Sequence, residues 1–246
     1  MAKTTFLTRR HALQWAAAAS ASSALTVFGQ SDWPQGKAVT FVVPFTAGSG
    51  TDVIARTIAE KLGPLLGAQI VIDNKTGAGG TVGAALVAKA PADGYTLLVH
   101  SSGHVVNPAL YPKLSYDTLK DFTYITMVAE SPLICVVNSG IGVNNLADLV
   151  KLAKANPGGV NYGSSGPGTG GHLATELLKY TAGINMTHVP YKGAAQQTAD
   201  VAAKHITMTF ASVAVVQPFI SGGQVKPIAV TSRTRVAALP NVPPVA

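Results

Sequence analysis

The sequence predicts an α/β protein of two lobes with a cleft between them. Short apolar runs alternate with segments of helical period, glycine-rich turns stand at the strand-to-helix junctions, and this plan is repeated in a second half. Short apolar runs flanked by turn signals read as buried strands, and strands alternating with helices read as βαβ units whose parallel sheet is covered on both faces. A chain of 246 residues holds one large domain or two small ones.

The first thirty residues (1–30) read as an export signal. Lys3, Arg9 and Arg10 precede the apolar stretch WAAAASASSALTVF, and VFGQ offers small or neutral residues for cleavage. The stretch is too short for a membrane span. TRRHALQ carries paired arginines, so Tat and Sec routes both stay open. Setting aside those three cations leaves 15 of the 18 basic residues against 11 acidic ones, a net charge of +4 with no block of like charges. Charged residues are only 12% of the chain. Such a surface lacks the clustered basic stripe that nucleic acid needs, while its mild positive bias suits small anions. The single Cys135 can form no internal disulfide.

VTFVV (Val39 to Val43) is the first strand, and PFTAGSGTD leads from it into a helix from about Asp52 to Leu66. QIVID passes through NKTGAGG to a helix near Thr81 to Lys89, and YTLLVH leads to SSGHVVNPAL. FTYITMV and PLICVVN are two further β-rich runs, followed by a helix near Asn145 to Ala155 that Asn156, Pro157 and Gly158 terminate. In the second half NYGSSGPGTGG precedes the helix HLATELLKYTA, MTHVPYKG precedes GAAQQTADVAAK, ITMTFAS precedes VAVVQPFISGG, and VKPIAVTS ends the series as a strand.

Function is sought in the glycine-rich loops. Gly48, Ser49, Gly50 and Thr51 stand at a helix start with Thr51 or Asp52 as its expected N-cap, and Asn161 to His172 repeats the arrangement in the other half. The first N–H groups of a helix lack intrahelical partners, so two such loops facing one cleft would suit a carboxylate or phosphate. An ordinary tight turn explains one loop but not the pair. Gly166, Gly168 and Gly171 match G-x-G-x-x-G, yet no acidic residue follows at the required distance, so no dinucleotide or other cofactor is expected. TGAGGTVGA reads as a helix-entry turn. Gly163 to Pro167 fails the G-x-S-x-G elbow at its last position, leaving Ser165 and His172 as the sole candidate pair for a periplasmic hydrolase or isomerase. His100 and His104 lack the H-E-x-x-H context of a metal site; they, His188 and His205 read as surface or hydrogen-bonded histidines, whereas His172 lies in the second loop.

The segments PFTAGSGTDVIARTIAEKLG, NKTGAGGTVGAALVAKAPADGYTLL, NYGSSGPGTGGHLATELL and HVPYKG resemble the substrate-binding receptors of tripartite tricarboxylate transporters, the Bug receptors. The resemblance runs from about Val39 to the last residue. It implies a type II periplasmic binding protein: a monomer, with no catalytic activity and no metal, that closes on a small carboxylate and delivers it to a membrane permease. Carried over residue by residue, it implies that ligand is met by Phe45, Thr46, Ala47, Gly48, Ser49, Gly50, Thr51 and Asp52; by Ser101, Ser102 and Gly103; by Ser164, Ser165, Gly166, Gly168, Thr169, Gly170 and His172; and by Tyr191, Lys192 and Gly193. It assigns 37–128 plus 224–246 to the first lobe and 129–223 to the second, and closure is expected to hinge near Val128 to Ser131 and Gly222 to Lys226. Three departures qualify it. Thr207 and Ala211 stand where the family usually has acidic residues, the latter near the ligand's distal end, which favours plain acids over amino acids. Thr46 replaces a usual proline and so restores a backbone donor. The chain ends at LPNVPPVA where family members continue, so the first lobe is expected to be incomplete and to expose apolar surface.

Overall fold

The computed structural model describes residues 33–34 and 36–245, so the export-signal expectation lies outside the described residues. Two sheets organise the chain. The first has three strands in the order β2-β1-β3: β1 (Val39–Val43), β2 (Ile70–Asn74) and β3 (Thr96–Leu98), with β1 parallel to both neighbours. Helices α1 (Gly50–Leu66), α2 (Thr81–Ala88) and α3 (Gly103–Leu110) follow the three strands in turn. Val39, Phe41 and Val43 alternate into one apolar cluster with Phe45 and Ala55, which is the period of two a pleated strand imposes.

The second sheet has the order β6-β5-β7-β4-β8, built from β4 (Leu133–Asn138), β5 (Asn161–Ser164), β6 (Thr187–Pro190), β7 (Met208–Ser212) and β8 (Val225–Val230). Helices α4 (Leu146–Ala155), α5 (Gly170–Ala182), α6 (Ala194–Ala202) and α7 (Val213–Ser221) cover it. Strand β5 runs parallel to β6 and β7, whereas β4 is antiparallel to β7 and β8. Along β4, Cys135 and Val137 enter one core and Ile134 and Val136 the other, so both faces of this sheet are buried. Burial pushes the Cys135 thiol far above its usual range, leaving it an inert core residue.

Three placements differ from the sequence expectation. FTYITMV forms no strand: among the described residues it has no pairing partner, and Ile125 and Met127 are 75% and 74% exposed. Residues 224–245, assigned to the first lobe, instead join the second sheet. There β8 pairs with β4, and Leu239 and Val242 pack into the same core as Ile134. Consequently Gly222 to Lys226 connects α7 to β8 within one half, which removes it as a hinge between halves. An apolar run announces a strand but carries no record of which sheet it completes.

Candidate functional site

Four loops meet between the sheets. The loop after β1 contributes Pro44 and Phe45, the turn before α2 contributes Gly77 to Gly80, the loop after β5 contributes Ser165, Gly166 and Pro167, and the segment after β6 contributes Pro190, Tyr191 and Lys192. They enclose a cavity of about 280 Å³, near the lower end of the roughly 300–1,000 Å³ of small-molecule pockets. Each loop runs into a helix start: α1, α2, α5 and α6. Helix N-termini carry partial positive charge, and the wall adds one cation, Lys192, and no carboxylate. The Tyr191 hydroxyl donates to Asp200 at 2.7 Å, and burial followed by that carboxylate pushes its pKa up to about 12. The charge of the wall itself, with Lys192 its one charged side chain, is therefore positive.

Hydrogen bonds hold the loops in shape. In the first, Ser49 is the N-cap of α1, accepting from the Asp52 N–H, which corrects the expectation of Thr51 or Asp52. Asp52 is instead buried, accepting from the Gly48 N–H and Arg56 at 2.8 Å each and from Asn74 at 2.9 Å. Burial raises the Asp52 pKa, and bonds from Arg56, Asn74 and Gly48 outweigh that and lower it. In the second loop the Gly166 N–H donates to Ser164 Oγ at 3.2 Å, the Thr169 hydroxyl to the Gly166 carbonyl at 2.7 Å, and the Gly168 N–H to His172 Nδ1 at 3.3 Å. The amides of Gly48, Gly166 and Gly168 are thus committed within their own loops. Behind the Gly77 to Gly80 turn, His100 packs against Gly80 and edge-on to Phe45, and burial together with His104 lowers its pKa to about 4. Asn107, fully buried on α3, reaches the Gly79 carbonyl at 3.5 Å.

Of the residues expected to meet ligand, Phe45, Ser165, Gly166, Tyr191 and Lys192 line the cavity. Thr46 and Gly193 press against each other across the two halves, as do Gly50 with Ser212 and Gly103 with Gly168. Ala47, Gly48 and Ser102 are exposed outside the wall, Thr51 is half-buried in the first turn of α1, and Gly170 opens α5. Ser101 is half-buried, and Ser164, Thr169 and His172 lie beneath the second loop. Thr207 hydrogen-bonds Asn161 and Ala211 is buried in the core, so neither borders the cavity, contrary to the distal-end expectation for Ala211. No hydrogen bond joins Ser165 to His172 among the described residues. The Gly77 to Gly80 turn, read from sequence as a helix entry only, forms one wall, and its bulk-free strand-to-helix junction is the same signal that marked the other two loops. At Gly79, with φ of +62°, an added Cβ would collide with the Pro167 carbonyl oxygen of the opposite half. That approach explains why position 79 carries no side chain.

Two α/β halves enclosing a cavity walled by strand-to-helix loops are the architecture of periplasmic binding proteins. The chain belongs to the receptor family of tripartite tricarboxylate transporters: the family pattern described as "Tripartite tricarboxylate transporter family receptor" matches residues 54–246. A protein from Pseudomonas sp. (strain P51), "UPF0065 protein in tcbD-tcbE intergenic region", is 39% identical over 208 residues, 85% of this chain and 62% of that protein. Protein BugT of Bordetella pertussis is 34% identical over 85% of this chain and 64% of its own length. The chain therefore spans somewhat under two thirds of these relatives. Among solved structures, R. palustris Rpa4515 with adipate is 39% identical with a TM-score of 0.83, covering 87% of this chain and 72% of that one. The periplasmic binding protein BugD is 35% identical with a TM-score of 0.80, covering 84% and 69%. MatC from Rhodopseudomonas palustris with bound malate is 28% identical with a TM-score of 0.79, covering 85% and 72%.

Proposed function

We propose that this chain is the solute-binding receptor of a tripartite tricarboxylate-type transporter: a periplasmic, monomeric, non-enzymatic protein that captures a small carboxylate between its lobes and presents it to a membrane permease. The carrying observation is the cavity shared by both halves, walled by four loops that each lead into a helix and with Lys192 as the one charged side chain in its wall. Ligand would be met by Phe45, the Gly77 to Gly80 turn, Ser165, Gly166, Tyr191 and Lys192. The lobes are 37–128 and 129–245, hinged near Val128 to Ser131. Adipate and malate, bound by two of the similar proteins, give the chemical class.

Magnitudes support closure as the source of affinity. A micromolar receptor needs about 8 kcal/mol, whereas one helix N-terminus supplies about 0.3–1 kcal/mol, or ~2 when partly buried. Several N-termini with charge-assisted hydrogen bonds of about 1.5–3 kcal/mol each reach that scale only when both halves grip the same anion. Isothermal titration with a panel of mono- and dicarboxylates, amino acids and neutral esters tests the reading. Saturable binding of plain carboxylates and none of esters is expected. Binding of neutral compounds alone, or acid binding that Lys192→Met leaves unchanged, would count against it.

A further inference from the structure

Strand β5 places Tyr162 and Ser164 on one face, and the parallel register sets His188 of β6 beside Tyr162, with which it stacks at 4.8 Å. Helix α5 lays His172, Glu176 and Lys179 over the same face: the His172 and His188 rings are 4.6 Å apart, Glu176 accepts from the Tyr162 hydroxyl, and Lys179 donates to Glu176 at 2.7 Å. None of these groups lines the cavity. They sit under the loop that does.

Ser164 is the link between them and the wall. It is fully buried, its Oγ lies 2.7 Å from His188 Nε2, and the same oxygen accepts from the Gly166 N–H. Its single proton has two possible acceptors, the Gly166 carbonyl at 3.1 Å and His188 Nε2 at 2.7 Å. The Gly166 carbonyl already accepts from Thr169 at 2.7 Å. The His188 tautomer sets the direction of the shorter contact: with the ring proton on Nδ1, Ser164 donates to Nε2, and with it on Nε2, His188 donates and the Ser164 proton goes to the Gly166 carbonyl.

We propose that His188 is a positioning residue for the carboxylate receptor site: neutral, protonated at Nδ1, it accepts the Ser164 proton at Nε2 and thereby sets the Ser165–Gly166–Pro167 wall. The inference rests on the receptor reading. Burial, followed by His172, lowers the His188 pKa to about 4, so the ring is neutral at neutral pH and has one nitrogen lone pair, which the proposal places on Nε2. The partner His172 accepts the Gly168 N–H at Nδ1 and so carries its own proton on Nε2. The two imidazoles hold the two ends of one loop.

Two measurements on the full chain test this. Nitrogen-15 NMR of the histidine rings reads the tautomer without any ligand: a proton on Nδ1 of His188, with Nε2 shifting upon Ser164→Ala, is expected, and an Nε2–H tautomer overturns the proposal. Adipate binding is then compared for wild type, His188→Leu and His188→Gln. Removal of the acceptor is expected to weaken binding by roughly tenfold, mostly through faster dissociation. His188→Gln, which returns an acceptor near Nε2, is expected to recover most of that loss, whereas a merely structural histidine would lower the melting temperature in both variants and leave the dissociation rate alone. His188→Leu binding adipate like wild type refutes the proposal. Should wild type bind neither adipate nor malate, the receptor reading falls, and the tautomer still judges His188 on its own.

Discussion

Asp52 shows how a residue can serve the cleft without facing it. Its carboxylate gathers the Gly48 N–H, Arg56 and Asn74, and the same Asn74 amide donates to the Phe45 carbonyl at 2.9 Å. One buried anion thus ties α1, β2 and the first loop together. Asp52→Asn exchanges a multiple acceptor for a group with one, and hydrogen bonds to charged groups are each worth about 1.5–3 kcal/mol. A loss of about 2 kcal/mol in urea-unfolding free energy is therefore expected, and an unchanged midpoint would show the network to be slack. The histidines predict the pH dependence. His100 and His188 titrate near 4 in the folded chain, below the usual value of 6.5. Between those values the unfolded chain binds more protons, so stability is fully present above about pH 6.5 and declines as pH falls toward 4. The unfolding midpoint measured from pH 7 to 4.5 should drop accordingly, and His188→Gln should flatten part of that slope.

At the level of elements, α1 is the clearest case of sequence dictating structure. Ser49 adopts extended backbone and caps the helix, and Gly67 ends it in the left-handed region with its N–H on the Gly63 and Pro64 carbonyls. Ser49→Ala should cost about 1 kcal/mol, read as a fall in the thermal midpoint with no change in helix content; a cost near zero would move the cap elsewhere. Strands such as β1 and helices such as α4 were legible because apolar periodicity and end signals are local properties of the chain. FTYITMV had the same local signal and forms no strand, since a strand also needs a neighbour with free backbone groups. The sheet that β8 joins was illegible for a related reason: pairing is a long-range choice between edges. In the cleft, the Ser165 loop could be found from small residues at a helix start, whereas Phe45 came from the family resemblance. Those same small residues hid which amides were already spent internally, and nothing in an isolated MTHVPYKG run shows that His188 stands 2.7 Å from Ser164.

The whole molecule brings its halves together at backbone level. Gly79 meets the Pro167 carbonyl, Gly103 meets the Gly168 carbonyl, and Gly193 meets Thr46, each pair spanning the two sheets. These contacts define a closed arrangement, and a side chain at any of them should act as a wedge. Gly193 is the cleanest place to insert one, because its φ of −169° is extended backbone that any residue adopts, so alanine brings no intrinsic strain. The added Cβ would lie 2.8 Å from Thr46 Cβ, too close to be cleared by turning the threonine side chain alone. Overpacking of this kind costs about 1–3 kcal/mol, and where the ligand-free chain opens its cleft the cost falls on the closed form only. Gly193→Ala should therefore keep the melting temperature of the ligand-free chain and bind adipate about 5–150 times more weakly. Thr46→Gly in the same chain removes the obstructing atoms and should restore part of the affinity, which a loss through altered ligand contacts would not. Equal affinity of Gly193→Ala and wild type in titration calorimetry would mean that the halves do not press together at this point when ligand is held, and that affinity comes from the loops without closure.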